Sequence, residues 1–305
     1  MNKKWLTWPV FVTLSEIYIA PLNIMWFILG SAIAQYRYGV VNWLNVILCL
    51  ADVFIFDLAV NVSDNYYDYV HAADREGYAA HTNPIGRLHL PKRGVWWLAV
   101  TLYIISAIPG VVLVMRTGWP VLLFGVIGYL IGIFYTAGPY PLNAMPICET
   151  VVAFSITYLI ELVCVYISIY GQRPFTWGVA GTTFALCLPI TLLFFTVQLG
   201  NNTADLDEDI KNNRHTLAFF IGRKRAVQVM QVFLIVGSLW PIVNLVLGLA
   251  PWITVLSVVL LPIMWQGIKP FYAVQDKQKT YMKVIKSTSL FYIGYTALFA
   301  IGAWL

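Results

Sequence analysis

Two short stretches hold most of the residues able to do charged chemistry. Asn61, Asp64 and Asp68 follow the pattern N-x-x-D-x-x-x-D, and Asn202, Asp205 and Asp209 repeat it. On a helix, residues three and four apart are neighbours, so each triplet shares one face. Like charges at that spacing repel, and each pair destabilises its own helix unless a cation is shared. Hard oxygen donors of this kind suit Mg2+, which takes one or two carboxylates and leaves its other positions to water and substrate phosphates. The bland alternative is a pair of solvated helix ends. The duplication, with an asparagine one turn ahead each time, favours a site in which both clusters face one cavity.

Basic residues trail each motif. Arg87, Lys92 and Arg93 follow the first, and Lys211, Arg214, Arg223, Lys224 and Arg225 follow the second. Arg or Lys beside a metal-bridged diphosphate neutralises the charge that remains. Arg87 and Lys211 are the residues selected for that contact, whereas Lys224 and Arg225 fit ordinary membrane-surface anchors. Asp57 stands one turn before Asn61 and extends the first acidic face inward. Glu16, Asp52 and Glu161 interrupt apolar segments without such alignment, and either pair helices or line a cavity. Cys49, Cys148, Cys164 and Cys187 lack C-x-x-C spacing and read as packing residues, not disulfides or metal ligands. No Ser/His/Asp or Cys/His arrangement for nucleophilic catalysis is visible.

The elements that carry these residues must sit in lipid. Of 305 residues, 60% are hydrophobic and 11% charged, with a mean hydropathy of +0.74; a soluble domain carries roughly 25% charged residues. Apolar runs of about 20 residues, each long enough to cross a bilayer, recur at 9–36, 41–63, 95–115, 119–138, 147–170, 176–199, 226–248, 251–267 and 288–305. The alternating segments of a transmembrane barrel are missing. The expected fold is therefore all-α, a polytopic transmembrane helical bundle of about nine spans around a central cavity. The first span is read as retained, not as a cleaved signal. The 12 Trp, 18 Tyr and 17 Phe divide between interfacial belts and a groove for a long apolar substrate, where ring faces stabilise a transient carbocation.

Charge placement sets the orientation. Of 19 Lys and Arg, all but Arg37, Arg116 and Arg173 lie in the amino terminus, beginning with Lys3 and Lys4, or in loops two, six and eight. The positive-inside rule puts the amino terminus and the even-numbered loops in the cytoplasm and the carboxyl terminus outside. The net charge of +5 thus reports membrane topology, and no nucleic-acid partner is implied. The motif repeat suggests one domain over 1–305 built from related halves, about 9–138 and 147–267, with the span 288–305 appended.

With these motifs in place, the chain resembles the UbiA-type superfamily of intramembrane prenyltransferases, nearest its 1,4-dihydroxy-2-naphthoate polyprenyltransferase branch of menaquinone synthesis. The branch's first motif is similar to N-x-x-N-D-Y-x-D with a further Asp six residues on. Asn61, Tyr66, Asp68 and Asp74 match it, with Asp64 and Asn65 in exchanged order. Its second motif is similar to N-N-x-R-D-x-x-x-D followed by T-L. Asn201, Asn202, Asp205, Asp209, Thr216 and Leu217 match, and Ala204 replaces the Arg. Between them Tyr135, Thr136, Gly138, Pro139, Pro141 and Leu142 fit the stretch Y-T-x-G-P-x-P-L, and Glu149 falls near the acidic residue that closes it, beyond a Met145–Cys148 segment that departs from the Gly-rich original.

The resemblance implies Mg2+ held by Asp64, Asp68, Asp205 and Asp209 against an allylic polyprenyl diphosphate. Asn61, Arg87, Asn202 and Lys211 are the expected diphosphate contacts, with Asp57, Asn65, Asp74, Tyr135, Glu149 and Asn201 as further candidates. An electron-rich aromatic carbon, expected to be that of 1,4-dihydroxy-2-naphthoate, attacks the allylic cation as carbon dioxide is lost. Another aromatic or tetrapyrrole acceptor is the alternative within the class. Outside it the alternative is a secondary transporter, whose ionisable residues would lie near the membrane midplane. A bacterial cell membrane is the expected location.

Overall fold

The computed structural model describes residues 5–18, 20 and 23–305, all helix, turn or coil and without a strand among them. Seven helices are long and apolar enough to cross a membrane: Trp43–His71, Lys92–Thr117, Cys148–Ile169, Trp177–Ala204, Leu217–Val246, Trp252–Ala273 and Tyr281–Trp304. The expected count of nine spans is not reproduced. The segment 119–138 gives a 16-residue helix, Trp119–Phe134, which the Gly138-Pro139 stretch prevents from running on. The expected span 9–36 comprises two helices, Trp8–Ser15 and Asn23–Tyr38. Glu16 takes a left-handed conformation, φ 48° and ψ 33°, and ends the first of them. Residues 19, 21 and 22 of that span, and Lys3 and Lys4, lie outside the described residues.

The motif helices outrun their apolar segments. Trp43–His71 is 29 residues long, or about 43 Å at 1.5 Å per residue, against a hydrocarbon layer of about 30 Å. Asn61, Asp64 and Asp68 therefore occupy its last turns, not a loop starting at residue 64. Trp177–Ala204 likewise carries Asn201 and Asn202 to its end, and the short helix Leu206–Lys211 follows.

The chain forms two compact units. The first comprises Met1–Ile24, Ile47–Met145 and Lys211–Arg214, and the second Met25–Val46, Pro146–Ile210 and His215–Leu305. In the first, Leu14, Val62, Ile85, Val95 and Ala99 form a buried cluster that fastens the Trp8–Ser15 helix and the loop after the first motif to the motif helix. Gly118, at φ 82°, turns Lys92–Thr117 into Trp119–Phe134, and these two helices pack together. Gly132 leaves room for the Phe56 ring, which a Cβ there would strike. A short π-helix, Arg75–Thr82, and the turn of helix Pro84–Arg87 complete the loop.

In the second unit Trp177–Ala204 packs along Leu217–Val246. Gly237 permits the close approach, because a Cβ would meet Leu193 and the Pro189 carbonyl. Hydroxyls buried in this apolar setting return their protons to the helix four residues back, as Thr183 does to Val179 O (2.9 Å), Thr203 to Leu199 O (2.6 Å) and Ser238 to Leu234 O (2.6 Å). All four cysteines are buried, and no disulfide joins them.

The first unit's loop supplies a test. A methyl at Gly86 would land on the Ala79 carbonyl oxygen, so backbone must move. Gly86→Ala should destabilise by about 1–3 kcal/mol, read as a lower Tm in detergent. Gly128→Ala, inside a helix and meeting nothing within 4 Å, should leave Tm unchanged or slightly raised.

Candidate active site

The first acidic pair is held by three later segments of the same unit. Asp68 accepts from the Tyr78 hydroxyl (3.2 Å) and from Asn143 Nδ2 (3.4 Å). Burial, and then the charges of Asp68 and Asp64, push the Tyr78 phenol well above its ordinary range, so it remains a proton donor. Arg214 donates to the Asn143 carbonyl (3.3 Å), and its guanidinium acts electrostatically on both Asp64 and Asp68. Asp64 Oδ1 is sealed from solvent and has no hydrogen-bond partner. Asn143 is itself buried, and its N–H donates to Tyr135 O (2.8 Å), which ties the Y-T-x-G-P-x-P-L stretch to this pair.

The asparagines of the first motif do backbone work. Asn61 Nδ2 donates to Ser15 O (3.1 Å), and Asn65 Nδ2 to Leu14 O (3.1 Å) and Asn61 O (3.0 Å). The last carbonyls of a helix lack intrahelical partners, so these residues cap Trp8–Ser15. Asp57 accepts from Asn23 Nδ2 (3.1 Å). Asp74 Oδ1 caps the π-helix by accepting from Gly77 N (2.8 Å), and the Gly77 and Tyr78 N–H groups hold its carboxyl below the usual range. Lys211 also acts on Asp74, and Asn212 Oδ1 accepts from the N–H groups of Ala73 (3.2 Å) and Asp74 (3.3 Å). Arg87 ends the Pro84–Arg87 helix with its side chain exposed.

In the second unit the motif is bent. The expectation of one uninterrupted helical face through Asn202, Asp205 and Asp209 is not met, because Trp177–Ala204 ends at Asp205, with φ −87° and ψ 2°. The hydrogen-bond ladder nevertheless continues, from Asp205 N to Asn201 O (3.0 Å) and from Asp209 N to Asp205 O (2.8 Å). Asp205 and Asp209 thus keep their four-residue relation. Asn202 is buried and donates to Glu149 Oε1 (2.8 Å), and Glu149 is fully buried at the start of Cys148–Ile169. Lys277 Nζ donates to the Asp205 carboxylate and to Asn201 Oδ1. Arg223 pairs with Asp207 at 3.0 Å.

Tyr78, Asn143 and Lys277 were not singled out from sequence, and Arg214 was seen only as one of several trailing cations. Asn143 follows directly on the quoted Pro-rich stretch, so a signal existed for it. Lys277 had none beyond the positive charge of its loop.

Among the described residues no three His, Cys, Asp or Glu side chains converge on a self-sufficient metal cage. Each motif instead offers a carboxylate pair, and Asp64 a buried oxygen without a hydrogen-bond partner. That donor set fits Mg2+, which completes its shell with water and phosphate oxygens.

Residues 24–299 match the UbiA prenyltransferase family. The chain therefore belongs to that family, as a prenyltransferase with several membrane-spanning helices. It is 28% identical over 264 residues, covering 86% of this chain and 81% of the relative, to the 1,4-dihydroxy-2-naphthoate octaprenyltransferase of Bacillus subtilis (strain 168). Its fold is similar to a digeranylgeranylglyceryl phosphate synthase, with a TM-score of 0.67, 16% identity and coverage of 97% of this chain and 98% of that one. A UbiA homolog from Archaeoglobus fulgidus bound to GPP and Mg2+ gives a TM-score of 0.61 at 15% identity, over 95% and 99% of the chains. One from Aeropyrum pernix K1 gives 0.67 at 12% identity, over 91% and 97%. At these identities the solved structures speak to fold alone.

Removing the cation beside the first pair should expose the repulsion it offsets. Arg214→Gln should cost on the order of 1–3 kcal/mol of stability, and millimolar Mg2+ should raise the Tm of this variant more than that of the parent chain. Equal Tm and equal response to Mg2+ would show that Arg214 does not balance Asp64 and Asp68.

Proposed function

We propose that this protein transfers a polyprenyl group from an allylic diphosphate to 1,4-dihydroxy-2-naphthoate, as a Mg2+-dependent step of menaquinone synthesis in a bacterial cell membrane. The observation that carries the acceptor is the 28% identity, over 86% of the chain, to an enzyme named for that acceptor. The paired carboxylates and their cations support the donor half.

In this reading the carboxylates of each motif, Asp64 with Asp68 and Asp205 with Asp209, would hold Mg2+, which would supply charge withdrawal from the diphosphate. Tyr78 and Asn143 fix the rotamer of Asp68 by donating to both of its oxygens. Arg214, held on the Asn143 carbonyl, adds fixed positive charge where the leaving diphosphate becomes more negative. Arg87 and Lys211, both exposed, contact the diphosphate from the loops. Glu149 keeps Asn202 in place. The allylic C–O bond breaks with its electron pair leaving on the diphosphate. The acceptor ring carbon that bears the carboxylate forms the new C–C bond, and the C–CO2 pair restores the aromatic ring as carbon dioxide departs.

Asp64→Ala, Asp68→Ala, Asp205→Ala and Asp209→Ala should each lower turnover by about 10²-fold or more, as should chelation of divalent cations. Near-normal turnover after chelation, or in Asp68→Ala and Asp209→Ala, removes the mechanism. Carboxyl-labelled dihydroxynaphthoate tests the acceptor: labelled carbon dioxide should appear in step with prenylated product. Prenylation of 4-hydroxybenzoate, another phenol or a tetrapyrrole, with no label released, would replace the acceptor and leave the donor chemistry standing.

Orientation follows from the Lys and Arg distribution. The motif ends of Trp43–His71 and Trp177–Ala204 face the cytoplasm, and the carboxyl terminus lies on the other side. Reporter fusions after Leu305 and within residues 210–215 should report opposite sides. The same side for both would refute this orientation.

A further inference from the structure

The turn between the Trp252–Ala273 and Tyr281–Trp304 helices is firmly built. Asp276 Oδ1 accepts from the N–H groups of Gln278 (2.9 Å) and Lys279 (2.8 Å). The Thr280 hydroxyl donates to Val274 O (2.7 Å) and accepts from Asp276 N (3.1 Å). Gln275 Nε2 donates to Phe271 O (2.8 Å) and Tyr272 O (3.0 Å), carbonyls that the ending helix leaves without partners. This turn presents Lys277 to the second motif. Its ammonium donates to Asp205 and Asn201 and lies 5.0 Å from the centre of the Tyr281 ring. Tyr281 is buried and its hydroxyl reaches Val197 O (3.4 Å), so the ring is a fixed wall.

An ordinary surface ion pair is held loosely and contributes little. Lys277 is held on three sides, against a carboxylate that is only 25% exposed, while its own side chain remains 43% exposed. An ammonium has three N–H donors, and two are engaged here. Lys277 donates to Oδ2 of Asp205, one of the two oxygens a divalent cation would use. Two cations on one carboxylate repel, so metal arriving alone binds against the Lys277 charge, which gains no new partner in exchange. Metal arriving with a diphosphate brings anionic oxygens to which the ammonium can turn.

We infer that Lys277 is a diphosphate-binding residue that stands in for the metal at Asp205 between turnovers. Metal and prenyl diphosphate then enter as one charge-matched unit. This rests on the proposed metal role of Asp205.

The test uses the full chain in detergent without acceptor. Binding of Mn2+ is followed by electron paramagnetic resonance, alone and with geranyl diphosphate, after correction for their association in solution. Lys277→Gln should bind Mn2+ alone about tenfold more tightly than the parent, and geranyl diphosphate in the presence of Mn2+ about tenfold more weakly, the size of one charged hydrogen bond. Lys277→Arg should restore most of both values. If either change is missing in Lys277→Gln, the inference is overturned. Asp205→Asn separates the two layers of the argument. Loss of Mn2+ binding there, with parent-like behaviour of Lys277→Gln, defeats only the role of Lys277; intact Mn2+ binding there defeats the metal role of Asp205 itself.

Discussion

Two carboxylates one turn apart, at the end of a helix whose other turns are apolar, repel each other where water is scarce to screen them. In each unit a few polar side chains answer that repulsion. In the first unit a phenol, a carboxamide and a guanidinium converge on Asp64 and Asp68. In the second a lysine sits on Asp205. The compensation is partial in the first unit, where Asp64 keeps a buried oxygen with no donor. Incomplete compensation leaves electrostatic attraction for a further cation, which is the property a metal-dependent transferase requires.

The same pattern of residues is used differently in the two units. Asn61 donates to a main-chain carbonyl at the end of another helix, whereas Asn202 donates to the buried carboxylate of Glu149. The first motif lies on a continuous helix and the second on a bend at Asp205. Only the acidic spacing survives in both, since main-chain hydrogen bonds carry the four-residue relation across the bend. Spacing of the charges is thus the common element, and the two asparagines make different hydrogen bonds.

Apolar runs of bilayer length disclosed an all-helical membrane protein, residue spacing disclosed the acidic motifs, and the resemblance of the residues in and between them pointed to the family. The apolar run 41–63 ended its helix too early because hydropathy falls where the charged and polar motif residues cluster, whereas main-chain hydrogen bonding continues to His71. Asn61 to His71 therefore proved helical. The division at Glu16 was not drawn because a single charge inside an apolar run does not reveal the left-handed backbone that ends the helix there. Lys277 and Arg214 were indistinguishable from anchoring cations until folding brought them to carboxylates far away in sequence. Tyr78 was hidden by type, being one of 47 aromatics whose sequence context does not separate them.

The remote origin of Arg214 also has a bearing on biosynthesis. The residues that steady Asp68 emerge in sequence: Tyr78 soon after it, Asn143 later, and Arg214 only when most of the chain has been made. At roughly 5–20 residues per second, the interval between Asp68 and Arg214 lasts about 7 to 30 seconds. Throughout that time the first carboxylate pair is already in a nascent membrane helix without its guanidinium. Water at the bilayer surface or a captured ion must steady it until then, and the first unit matures only after part of the second has been synthesised.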